Sequence, residues 1–259
     1  MDGRRKFVGW GWQSEPEKPA RKLGSPSRLR GGGTGIMRRW ALTARHGDVM
    51  HQGTSPAIRP AAHLMTLAVI AFATVCGAAQ FWRTDLNPIA VPLSIYLTGP
   101  GGAYVRMTYY LMGVALIFFA VGSYRATAAP LRSGLALVLF TVPGLLLPVV
   151  AATELFKGTP YESLCALIHG LAAQCTFLTL SFGMLLLSSR WRRDLRLRAG
   201  RHLGAPLAWL ATAVLWLQAF VHTLPHGLMQ KLLIALILLW LAWAARQLLR
   251  AARQRYAGI

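Results

Sequence analysis

From residue 61 onward the chain is a succession of six apolar blocks, at about 61–81, 104–124, 134–153, 163–187, 205–224 and 228–249. Each is near the ~20 residues a helix needs to cross a ~30 Å hydrocarbon core. Unpaired backbone amides are so unfavourable in lipid that a spanning segment is either a helix or part of a closed barrel. Continuous apolar runs of this length lack the in-and-out alternation of barrel strands. The fold class that follows is all-α, an integral membrane bundle of six transmembrane helices. Composition agrees, since only 14% of the residues are charged, against about 25% in a soluble domain.

The connections orient the bundle. Arg125 and Arg132 lie between blocks two and three, six arginines from Arg190 to Arg201 between four and five, and Arg246, Arg250, Arg253 and Arg255 after six. The alternate connections, 82–103, 154–162 and 225–227, hold only Arg83 and Lys157 as bases, beside Asp85, Glu154 and Glu162. The positive-inside rule makes the arginine side cytoplasmic, so both termini are inside and the expected location is a bacterial inner membrane. The loops are too small to contain a soluble catalytic domain.

The net charge of +20 divides into +8 over residues 1–60 and +12 over the rest. No aromatic-basic module accompanies it, which argues against nucleic acid as a partner. The arginine run "RWRRDLRLRAGR" reads instead as a contact with anionic lipid headgroups. Residues 1–60 combine five prolines, a Gly31-Gly32-Gly33 run and no periodicity, as expected of a disordered basic tail. "GRRKFVG" is followed by a polar stretch, so it is not an export signal. Met37, Met50 and Met65 offer later starts for the chain. Residues 61–250 form the transmembrane domain, and 251–259 a short tail.

Within the first outer connection, "WRTDLNPIAVPLSIYLTGPGGA", Pro88, Pro92 and Pro100 forbid a regular helix. The expectation is a segment lying along the interface, with Trp82, Tyr96 and Tyr104 at headgroup level. Pro143, Gly144 and Pro148 predict a kink in helix three. Cys76, Cys165 and Cys175 fall inside apolar blocks without zinc spacing and read as small core residues.

Three segments, "PLSIYLTGPGG", "TELFKGTPYESLCALIHGLAA" and "HGLMQKLLIALILLW", occur in that order ahead of helix two, into helix four and into helix six. In them the chain resembles the bacterial six-helix membrane proteins grouped as domain of unknown function 998, over roughly residues 64 to 250. The resemblance implies a six-helix bundle and no established reaction. Members of that family show a Phe-Pro-x-Asp type turn before the helix-four histidine and a Gln-Arg pair opening helix six. Here Phe156 is followed by Lys157-Gly158-Thr159-Pro160, and Lys231 holds the basic position. Glu154 and Glu162 are the acids that can stand in for the acid of the turn.

The histidine is His169, about six residues into helix four and so ~9 Å below the outer boundary. Glu162, Cys165, His169, Ala172 and Thr176 share one face, a small and polar stripe that membrane helices turn toward one another. On helix five, Thr212, Leu215, Gln218 and His222 share a face, with Gln218 at the depth of His169. His169, Gln218, His222 and His226 then form a candidate outward-opening pocket, with Glu154 and Glu162 at its rim. A plainer reading has His169 only fastening two helices by a hydrogen bond, worth ~0.6 kcal/mol. Metal or haem ligation is a third reading, but no symmetric histidine pair across two helices supports it.

No cofactor is expected and no catalytic residue is assigned, because no nucleophile, base and orienting group lie at one depth. The function expected is that of a non-enzymatic membrane protein that binds a lipid or small amphiphile in its outward-facing pocket, or serves as a structural or regulatory component of the envelope. A small-solute transporter or a haem- or quinone-linked redox protein is the alternative. Transport needs a polar path through the inner half, where Thr141, Thr179 and Ser181 are almost the only polar groups.

Overall fold

The computed structural model describes residues 57–195, 197, 200–221 and 223–256, with backbone alone at 201 and 254–256. The basic tail up to residue 56, Arg196, Arg198 and His222 lie outside the described residues. Six helices follow: α1 (Ile58–Trp82), α2 (Gly102–Ala126), α3 (Gly134–Thr153), α4 (Glu162–Arg193), α5 (Arg201–Phe220) and α6 (His226–Tyr256). All six are long and apolar enough to cross a membrane, and no strand occurs among the described residues. α1 begins three residues earlier than the apolar pattern, and α6 runs on through residues read as a tail.

The helices alternate in direction. One end of the bundle, here the lower, carries the connections 127–133 and 194–200, and the upper end carries 83–101, 154–161 and 221–225. Each helix packs on the next, and α6 returns onto α1, so the six close into a ring with lighter contact between α2 and α6 across it. α4 and α5 are therefore neighbours, a relationship the sequence left open.

The tightest crossing is between α2 and α3. A side chain added at Gly113 would start 2.6 Å from the Gly144 carbonyl, and one at Gly144 would start 2.8 Å from the Gly113 carbonyl. Backbone meets backbone there, as small residues allow in membrane helices. Pro148 has no N–H to give that Gly144 carbonyl four residues earlier. Despite Pro143 and Pro148, α3 is continuous through Thr153.

Aromatic rings close the lower half. Phe119, Phe140 and Trp240 are all fully buried, with ring centroids 5.1 to 6.2 Å apart. Indole N–H groups are satisfied across helices: Trp240 donates to Ser188 at 3.0 Å, Trp191 to the Thr127 hydroxyl at 3.0 Å, and Trp243 to the Gly200 carbonyl at 3.2 Å. Asp194, only 2% exposed, accepts the Ala128 N–H at 2.8 Å. It thus ties the connection between α2 and α3 to the end of α4, a role its position in an arginine run did not suggest.

Candidate functional site

At the upper end the 83–101 connection is packed down onto the helices. Its turn Leu93–Leu97 buries Leu93, Tyr96 and Leu97. Tyr96 is 1% exposed and packed inside the protein, whereas Trp82 and Tyr104 stand exposed with rings 6.4 Å apart. The reason is the fit against α6: a side chain at Gly227 would run into the Val91 carbonyl, and Leu228 donates its N–H to Ile89 at 2.9 Å. The Gln230 side-chain oxygen accepts the Leu93 N–H at 2.8 Å.

Every cation of this end is engaged within it. Arg83 makes two 2.8 Å bonds to Asp85 and one of 2.6 Å to the Thr98 carbonyl. Arg106 donates to the Leu97 carbonyl and Lys157 pairs with Glu154 at 2.8 Å. Lys231 donates to the Pro88 carbonyl and lies over the Tyr96 ring, 5.2 Å from its centroid. Lys231 thereby fastens the connection to α6. The two bonds from Arg83 hold the Asp85 carboxyl below the usual carboxylate range, and burial raises the Tyr96 phenol.

His169 sits where α3 meets α4. Its Nδ1 lies 3.0 Å from the Val150 carbonyl, 3.2 Å from the Thr153 hydroxyl and 3.2 Å from the Glu154 carboxylate. A carbonyl can only accept, so the contact with Val150 places a hydrogen on Nδ1. No hydrogen bond to Nε2 occurs among the described residues. The His169 and Glu154 side chains are 16% and 10% exposed, and Glu154 is also paired with Lys157.

Two cavities meet at His169. The first is a narrow slot inside the ring. Its walls are mostly apolar, including Phe72, Met112, Leu147, Phe177, Ile234 and Leu238. It reaches down to Leu116, Leu180 and Leu241, adjoining the aromatic layer of Phe119, Phe140 and Trp240. The second is a wider vestibule of about 960 Å³ between α4, α5, α6 and the connection, bordered by Ser94, His169, Gln174, Gln218, His226 and Gln230. Slot and vestibule share Ser94, His169, Ala173, Phe177 and Gln230.

The vestibule exists because α4 and α5 are less covered at their upper ends. On α4 the buried residues above Leu180 are only Ala172 and Thr176, and on α5 nothing above Leu215 is buried. Of the face predicted to turn inward on α4, Ala172 and Thr176 are buried and Cys165 and His169 half-buried, while Glu162 is exposed. His169, Gln218 and His226 come together in the vestibule, with the Gln218 amide 3.4 Å from His226 Nδ1. Glu154 stands behind His169 rather than at the rim of the vestibule. Glu162 is not part of the site: it accepts the Gly158 N–H at 2.9 Å and caps the turn before α4.

A family model described as protein of unknown function (DUF998) matches residues 66–247. The chain belongs to the DUF998 family. No curated protein and no solved structure matches it. In this DUF998 chain Glu154, of the two candidate acids, contacts the helix-four histidine, even though it precedes the turn. Gln230 occupies the glutamine of the family's Gln-Arg pair, a signal passed over in favour of Lys231. Ser94 and Gln174 carried no such signal, because only the folded connection and the α4–α5 gap bring them to the vestibule.

Proposed function

We propose that this protein binds one single-chain amphiphile, with its head in the vestibule and its tail in the slot. The observation that carries this reading is the junction at His169 of a half-polar cavity with a narrow apolar one. Small-molecule sites are typically apolar clefts with few convergent polar groups, and the vestibule with its narrow apolar extension has that composition. The fully buried Phe119, Phe140 and Trp240 beneath the slot favour a blind site over a transport path. We place the arginine end in the cytoplasm and the vestibule at the outer face of the inner membrane, on the asymmetry of the basic residues. Binding, not catalysis, is the activity, and lipids of the surrounding membrane are its partners, with anionic headgroups at the arginine connection.

The test is purification of the full chain in nanodiscs, followed by native mass spectrometry of what it retains. A retained single-chain species is expected for the parent, and its loss for Ala173→Phe, which places a ring where slot and vestibule meet. Equal retention by both proteins would overturn the reading.

A further inference from the structure

Resting on that reading, we infer that the headgroup taken by the vestibule is uncharged and bears hydroxyl groups, as in a monoacylglycerol or an alkyl glycoside. Among the described residues, no lysine, arginine, aspartate or glutamate lines the vestibule. That is notable in a chain of net charge +20. The cations nearest to it are already used: Lys231 faces the Pro88 carbonyl, and Lys157 balances Glu154 behind His169. A phosphate or carboxylate entering here would meet no fixed positive charge, the element by which such groups are normally held.

The hydrogen-bonding groups specify more than neutrality. Gln218 turns its amide nitrogen to His226 and leaves its Oε1 buried with no partner, an acceptor awaiting a donor. His169 commits its Nδ1 hydrogen to Val150, which leaves Nε2 without a hydrogen bond among the described residues, an acceptor whenever the ring is neutral. Gln230 commits its Oε1 to the Leu93 N–H and keeps its NH₂ as a donor. With the Ser94 hydroxyl and the Gln174 amide on the same wall, these groups offer both acceptors and donors, which complements hydroxyls, each of which gives one hydrogen and takes others. An ionised carboxylate or phosphate group itself offers only acceptors, and would set lone pairs against Gln218 Oε1.

The experiment offers the full chain in nanodiscs a set of amphiphiles of one tail length: a monoacylglycerol, an alkyl glucoside, the free fatty acid and the lysophosphatidate. Retention is read by native mass spectrometry. The neutral hydroxylated pair should be retained about tenfold or more over the anionic pair, because an anion leaves buried acceptors unpaired. Preference within the neutral pair distinguishes a glycerol head from a sugar. Gln218→Leu should reduce the neutral pair's advantage, by weaker retention of the neutral pair and relief of the repulsion on the fatty acid. Equal or tighter binding of the anionic pair by the parent protein overturns the headgroup assignment and leaves the slot reading standing. Retention of none of the set overturns both.

Discussion

His169 on α4 and Glu154 at the end of α3 meet with Nδ1 3.2 Å from the carboxylate, and the same nitrogen lies 3.0 Å from the Val150 carbonyl. One ring therefore fastens two helices and also borders both cavities. The two readings of His169 drawn from sequence, helix fastening and ligand contact, are compatible in this geometry. Replacement variants separate the two contributions. His169→Ala should lower thermal stability by about the ~0.6 kcal/mol of an average polar contact between membrane helices. His169→Asn, whose amide can still reach the Val150 carbonyl, should keep that stability and still lose amphiphile retention. An alanine variant with parental stability and retention would remove both roles.

The long upper connection carries a pH dependence through Asp85. Its carboxyl titrates below its usual range because Arg83 donates two hydrogen bonds to it. A group whose folded value is depressed binds fewer protons in the folded state, so its contribution is complete above the unfolded value and lost as pH falls through the folded one. Hydrogen exchange of residues 83–101 should therefore quicken on the acid side of the carboxylate range. Asp85→Asn should show the faster exchange at every pH. The pair is exposed at Asp85, so the effect is local and weakens in salt. Identical exchange in parent and variant at neutral pH would show that the pair holds nothing.

At the α2–α3 crossing, Gly113→Val has no room, because its first side-chain atom would meet the Gly144 carbonyl. Overpacking of this kind costs about 1–3 kcal/mol, visible as a fall in the detergent-solubilised melting temperature. Gly77→Ala, where nothing lies within 4 Å, is the control and should be neutral or slightly stabilising. Equal melting of the two variants would contradict the close backbone approach.

Reporter fusions after residue 130, after 195 and at the C-terminus should report the cytoplasm, and fusions near 158 and 226 the periplasm. A single reversed connection would break the proposed orientation.

Much of the architecture was legible because the hydrocarbon core imposes one length and one backbone solution on each span. The α4 stripe of Cys165, His169, Ala172 and Thr176 was legible for a related reason, since small and polar side chains in lipid have nowhere to go but a neighbouring helix. Which neighbour, however, depends on ring closure, and the pairing of His169 with α3 rather than α5 followed from geometry at the turn. Glu162 illustrates the limit from the other side: its spacing from His169 is helical, yet its carboxylate turns back to Gly158. The burial of Tyr96 within the protein left no sign in the sequence, because it depends on the Gly227 notch that lets the connection pack against α6. The slot left no motif, since its walls are ordinary leucine, isoleucine and phenylalanine.

The central claim, a tail inside the slot beneath a head at His169, is tested most directly by photocrosslinking. A single-chain amphiphile with a diazirine at the tail end would be bound to the full chain in nanodiscs, irradiated, and its adducts mapped by mass spectrometry. The predicted adducts fall on Leu116, Leu180 and Leu241 at the floor of the slot, and disappear in Ala173→Phe. Adducts confined to lipid-facing residues such as Leu171, Phe182 and Leu239, unchanged by that substitution, would contradict the account.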